Sequence, residues 1–175
     1  VAVVRLQDPD WIAVVFRGTT PSPLRGLLRE GQVNSMAGQE EWEEAPEVLR
    51  GGSSDDDDGS SDDGSSDARG QHSRVHRGYA AAYRTVLAEV EGAVTAHVRA
   101  ALATRSSSSP SSTPPPKVVV VGHSLGGALA ALCASRLAHD KDVAALGGGV
   151  ECVTFGQPRV GDGTWAKHVD ERTPR

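Results

Sequence analysis

The sequence predicts an α/β fold, a mostly parallel sheet with helices on both faces. Three observations predict it. Val118 to Val121 is a run of four consecutive valines, the habit of a strand buried on both faces in a parallel sheet. That strand passes through Gly122-His123-Ser124-Leu125-Gly126 into Ala128-Leu129-Ala130-Ala131-Leu132-Cys133-Ala134, which reads as a helix. Upstream, Tyr79, Ala82, Tyr83, Val86, Val90, Ala93, Val94, Val98 and Leu102 recur at three- and four-residue steps. This spacing predicts one helix from Tyr79 to about Ala103.

The remaining elements follow in chain order. Val1–Arg5 and Trp11–Phe16 read as strands separated by the turn Gln7-Asp8-Pro9-Asp10. Residues 20–50 carry Pro21, Pro23 and Pro46 with Gly26, Gly31 and Gly38 scattered between them. Their periodicity is poor, so that segment reads as irregular, with at most short helices. Residues 51–74 form a polar, acidic insertion whose composition is that of a disordered segment. Residues 106–116 are a Ser/Pro-rich linker. The helix after Ser124 runs to about His139, and Gly147-Gly148-Gly149 marks a loop before a strand from Val150 to Phe155.

At 175 residues the chain is long enough for one domain with a real core. It opens on Val1 without a methionine and stops in polar sequence at Arg175, as expected of a piece of a longer protein. Residues 53–67 contain only Ser, Asp and Gly, seven of them Asp; removing those seven charges from the net −5 leaves +2 for the rest. No basic stripe interleaved with aromatics points to nucleic acid. No apolar run reaches membrane-spanning length, and none has the form of a signal peptide. The acidic run also fails as a calcium loop. With Gly59 or Gly64 at the sixth position, the twelfth is Ser65 or Gly70 rather than the bidentate glutamate required. The serines there, Ser53 and Ser54 among them, offer acidophilic phosphorylation sites only by composition. Cys133 and Cys152 read as small buried apolar residues, with a disulfide between them left open.

The chemistry centres on Ser124. In G-x-S-x-G between a strand and a helix, the turn lifts the serine out of the sheet into a strained position. Gly122 and Gly126 supply the small residues that let the following helix pack so close. The helix N-terminus behind the serine presents backbone N–H groups and a positive dipole end to a developing oxyanion. The amide after the nucleophile is one donor, which names Leu125. A serine needs an adjacent base, commonly a histidine oriented by a carboxylate. His123 is adjacent in sequence, but neighbouring side chains on a strand point to opposite faces, so it reads as a buried histidine bracing the turn.

Four stretches together carry a family resemblance. They are Ile12-Ala13-Val14-Val15-Phe16-Arg17-Gly18-Thr19-Thr20, Val75-His76-Arg77-Gly78-Tyr79, Gly122-His123-Ser124-Leu125-Gly126-Gly127-Ala128 and Val153-Thr154-Phe155-Gly156-Gln157-Pro158-Arg159-Val160-Gly161-Asp162. In that order they resemble the class 3 (fungal-type) lipases of the α/β-hydrolase superfamily, and the resemblance spans nearly the whole chain apart from the two insertions.

The resemblance implies hydrolysis of a lipid carboxylic ester through an acyl-enzyme on Ser124, at a lipid–water interface, with no metal or organic cofactor. It places the second oxyanion donor at Thr19, against the alternative of an ordinary strand-end hydroxyl satisfying its own turn. It makes His76 and Asp162 structural. It puts a lid in Thr20 to about Asn34, where Leu24, Leu27 and Leu28 either meet a lipid surface or cover the local core. The family's acid and histidine follow the serine in that order, the acid in an Asp that precedes Val-Pro. No such motif occurs after Ser124, and His168 and Asp170 stand too close and in reversed order. The strands are also too few for a complete sheet. Residues 1–175 are therefore expected to be the N-terminal part of a single class 3 lipase-like domain. The rival expectation is a lipase-like module that kept the fold as a catalytically inactive binding or signalling platform.

Overall fold

Strand β1 (Ala2–Gln7) and strand β2 (Asp10–Phe16) form an antiparallel hairpin, with Gln7 opposite Asp10. Its register is fixed at the open end of the turn by Arg5, whose Nε and Nη2 donate to the two Asp10 carboxylate oxygens at 3.0 and 3.1 Å. The structure, a computed structural model, describes residues 1–8, 10–18, 38–42, 73–106 and 114–173. Two short strands follow, β3 (Gln39–Glu41) and β4 (Arg74–His76), paired antiparallel in a ribbon of their own. Helices α1 (Arg77–Arg84) and α2 (Leu87–Ser106) lead to strand β5 (Lys117–His123). Helix α3 (Leu125–Leu137), helix α4 (Lys141–Leu146), strand β6 (Val150–Phe155) and helix α5 (Gly163–Arg172) complete the described elements.

The main sheet has the order β1-β2-β5-β6. β5 runs parallel to both of its neighbours, so the mostly parallel sheet expected from the valine run is present. Val118, Val119 and Val120 are all buried because strands flank them and side chains cover them from above and below. Alternation sends Ile12, Val14 and Phe16 of β2 to one face, where they are essentially fully buried. There Phe16 meets Tyr83 of α1, with ring centroids 6.2 Å apart, and Tyr83 meets Trp42 at 6.1 Å. Val90, Val94, Val98 and Ala101 give α2 its buried stripe on the spacing read from the sequence. Trp42 is held to α3 by a relay: its indole N–H donates to Ser135 Oγ at 3.1 Å, and Ser135 Oγ donates to the Leu132 carbonyl at 3.0 Å. On the opposite face, Val15 of β2 is 41% exposed and Val4 of β1 45%.

Four expectations need correction. The helix predicted as continuous from Tyr79 is two helices, broken at Thr85–Val86, where the Thr85 hydroxyl turns back onto the Ala82 carbonyl at 2.7 Å. The apolar spacing runs straight across the break because both helices bury the same side. Helices α4 and α5 are new relative to the sequence. Each starts on an aspartate cap: Asp140 Oδ1 accepts from the Val143 N–H at 2.9 Å and Asp162 Oδ1 from the Trp165 N–H at 2.8 Å. Of the acidic segment 51–74, residues 51–72 lie outside the described residues, while Ser73 is buried and Arg74 opens β4. His123 is exposed rather than buried, because it is the last residue of β5 and lies at the end of the sheet.

Candidate active site

The site is built where three parallel strands end together. β2, β5 and β6 present their C-terminal ends side by side, with β5 in the middle, and ligands of open α/β sheets bind at such ends. Ser124 follows β5 directly and caps α3. Its backbone sits at φ 53° and ψ −126°, the positive φ of a non-glycine residue among the described residues. Such a conformation costs on the order of 1–3 kcal/mol and persists only where the surroundings enforce it.

The enforcing contacts are visible. The Ser124 N–H donates to the Phe155 carbonyl of β6 at 2.9 Å, and its carbonyl accepts from Gly127 N–H at 2.8 Å to open the helix. A Cβ on Gly122 would strike the carbonyl oxygen of Gly126. A Cβ on Gly126 would strike the carbonyl oxygen of Phe16, and it would stand 2.8 Å from the Arg17 carbonyl carbon. Both glycines thus let α3 start hard against the ends of β5 and β2. Small residues two places either side of Ser124 are what the sequence reading required of the turn.

Leu125 is the first residue of α3, where first-turn amides lack partners within the helix and point out of its N-terminus. Thr19 lies outside the described residues, as does the segment Thr20–Asn34 in which a lid is expected. Gly18, immediately before Thr19, stands within reach of His123: a Cβ there would lie 2.8 Å from the His123 carbonyl oxygen and 3.2 Å from its Nδ1.

The other titratable candidates are occupied elsewhere. His76 caps α1, its Nδ1 accepting from Gly78 N–H at 3.1 Å while its ring stacks on Tyr79 at 4.4 Å. His168, half-buried on α5, has its Nδ1 3.0 Å from Ser73 Oγ. Asp162 caps α5, and its N–H donates to the Arg74 carbonyl at 2.9 Å, which ties the Pro158–Asp162 turn to β4. Cys133 and Cys152 are free thiols. Burial pushes the Cys133 thiol up to about 12 and the Cys152 thiol to about 11, so both stay protonated and unreactive near neutrality. The buried Tyr83 hydroxyl has no hydrogen-bond partner of good geometry; its contact with the Cys133 thiol is a weak one, and burial raises the phenol. No described helix is long and apolar enough to cross a membrane.

Comparison with known proteins bears on the family and the fold. Residues 13–175 match the family Lipase (class 3). Over 55 residues the chain is 47% identical to Lipase ZK262.3 of Caenorhabditis elegans, a stretch that is 31% of this chain and 15% of that protein. Among solved structures it resembles lipase II from Rhizopus niveus, with a TM-score of 0.61 and 22% identity over 97% of this chain and 48% of that one. It also resembles the lipase from Rhizopus microsporus var. chinensis, with a TM-score of 0.59 and 23% identity over 97% of this chain and 44% of that one. The Rhizomucor miehei triacylglyceride lipase gives a TM-score of 0.59 at 24% identity, again covering 97% of this chain and 48% of the other. The chain therefore spans less than half the length of these relatives. With the family matched over residues 13–175 and the fold shared with these lipases over the part they align, the chain belongs to the class 3 lipases.

Proposed function

We propose that the protein hydrolyses carboxylic esters of lipids through an acyl-enzyme on Ser124. The observation that carries this is the strained backbone of Ser124 at φ 53°, held between β5 and the N-terminus of α3. A serine that only packed at a tight turn would be replaced by glycine at no steric cost, whereas a nucleophile needs its hydroxyl lifted clear of the sheet. In the first half-reaction Ser124 Oγ bonds to the ester carbonyl carbon, its proton passes to a base, and the alcohol departs with that proton. Water then attacks the acyl-enzyme and releases the fatty acid. To the oxyanion formed at each step we assign the Leu125 N–H as one donor and, as the resemblance implies, the Thr19 N–H as the other.

Neither the base nor its acid is assigned within residues 1–175. His168 is engaged with Ser73, and no Asp-Val-Pro followed by histidine comes after Ser124. The resemblance places the family's acid and histidine after the serine, and no residue between Ser124 and Arg175 is proposed for either role. The same observation favours the second reading, an inactive lipase-like binding or signalling module, if those two residues are missing from the intact protein. Hydrolysis of p-nitrophenyl butyrate and of an emulsified triacylglycerol by the intact protein, beside its Ser124→Ala variant, separates the two. Turnover that falls by several powers of ten in the variant supports the enzyme. Absence of turnover in the parent, or equal turnover in both, contradicts it.

A further inference from the structure

Ser124 is held from two sides. Its carbonyl accepts from the Gly127 N–H at 2.8 Å and from the Ala128 N–H at 3.3 Å, so that end belongs to α3. Its N–H donates to the Phe155 carbonyl at 2.9 Å, one bond past the last register pair of β5 and β6, His123 with Phe155. This bond ties the backbone of Ser124 to a strand outside its own helix. With both ends of the residue fixed, rotation about its N–Cα bond is fixed too, and the φ of 53° is kept. The Phe155 side chain is 59% exposed and anchors little, so the place of that carbonyl depends on the backbone around it. The next residue, Gly156, stands at φ 57°, in the left-handed region. At Val160 the chain is anchored again: that residue is buried, and its carbonyl accepts from the His76 N–H of β4 at 2.8 Å.

We infer that Gly156 is a positioning residue for Ser124: its left-handed turn aims the Phe155 carbonyl at the Ser124 N–H and thereby holds the serine in its strained conformation. The inference rests on the acyl-enzyme reading above. The Phe155 carbonyl and the Gly156 N–H share one rigid peptide plane. With Val160 fixed on β4, forcing residue 156 to negative φ swings that plane, and the carbonyl with it. A side chain at this position acts through conformation rather than through a clash. A Cβ there would meet nothing closer than His123 Nε2 at 3.8 Å, an ordinary contact. Once its N–H is released, Ser124 relaxes from its strained φ and carries Oγ off its line of attack. A displacement of about 1 Å can cost on the order of a hundredfold in rate. The loss falls on kcat and leaves KM nearly unchanged, because the serine's alignment serves the transition state.

The test is steady-state hydrolysis of p-nitrophenyl butyrate by the intact protein and by Gly156→Asn, Gly156→Ala and Gly156→Val, with thermal unfolding of each. Asparagine enters the left-handed region readily, alanine reluctantly and a β-branched residue hardly at all. The kcat of Gly156→Asn is expected to stay within about threefold of the parent's. It should fall roughly 10-fold in Gly156→Ala and on the order of 100-fold in Gly156→Val, at little change in KM. A second readout separates positioning from a turn that merely folds less well. Ser124→Gly should raise the Tm of the parent by relieving the strain. It should raise those of Gly156→Ala and Gly156→Val by clearly less, since in them the serine has already relaxed. Parental kcat in all three variants, a change confined to KM, or the same Tm gain from Ser124→Gly in every background would each overturn the inference. Ser124→Ala distinguishes the two levels. Turnover surviving there removes the acyl-enzyme reading, while the Tm coupling, which needs no activity, still decides whether Gly156 holds Ser124.

Discussion

Ser124 holds a conformation that glycine adopts freely and serine does not, and this makes a prediction independent of any assay for activity. Ser124→Gly relieves the positive φ, while Ser124→Ala keeps a Cβ and therefore keeps the strain. Glycine also gains freedom in the unfolded chain, so the net stabilisation is about 1 kcal/mol, or roughly 2–4 °C in Tm for a domain of this size. Calorimetry of the parent and both variants should show a rise for glycine and none for alanine. A fall in Tm for Ser124→Gly would mean that the turn is not strained. This strain was legible in the sequence, since G-x-S-x-G between a valine strand and an alanine-rich helix dictates it. The exposure of His123 was not. It continues a strand of buried valines, and only the register of three strands shows that it lies at the rim.

Among the elements, strands were the more readable. Val150–Phe155 is a strand over the residues expected, and β2 extends its predicted span by one residue, to Asp10. Periodicity carried the buried stripe of α2 but could not register the break at Thr85–Val86, because nothing apolar is missing there. The signals for α4 and α5 were present as Asp140 and Asp162, yet a lone aspartate before a weakly apolar segment also reads as a turn. β3 and β4 are three residues each, too short to show alternation. The packing of α3 against β6 has a consequence for alkaline pH. Burial raises the Cys133 thiol from an ordinary 9.0 to about 12. Above pH 9 the unfolded chain loses that proton while the folded one retains it, so folding stability must fall between pH 9 and about 12. Urea denaturation at pH 8 and pH 11 should show this loss, and Cys133→Ala should lose less over the same step. An equal loss in both proteins would mean that the thiol does not titrate differently in the two states.

For the whole molecule, the insertions and the sheet faces raise separate questions. Residues 53–67 offer no apolar side chain to bury, and ordering them would cost about 1 kcal/mol per residue without compensation. Their deletion should leave Tm and ester hydrolysis nearly unchanged; a drop of many degrees would show that they pack or bind an ion. The sequence was enough to predict strands at β1 and β2 and the turn between them. It did not predict that Val4, Leu6, Val15 and Phe155 would remain exposed, since a strand reading does not say what covers each face. The family was readable from four short motifs; the completeness of its catalytic machinery was not.

The central claim is that Ser124 is the nucleophile, and covalent labelling tests it most directly. The intact protein is treated with a fluorophosphonate, which phosphonylates only an activated serine, and the adduct is located by peptide mass spectrometry. The account predicts a single modification, on the peptide containing Gly122-His123-Ser124-Leu125-Gly126, that disappears in Ser124→Ala. A modification on any other serine, or one that persists in Ser124→Ala, contradicts it.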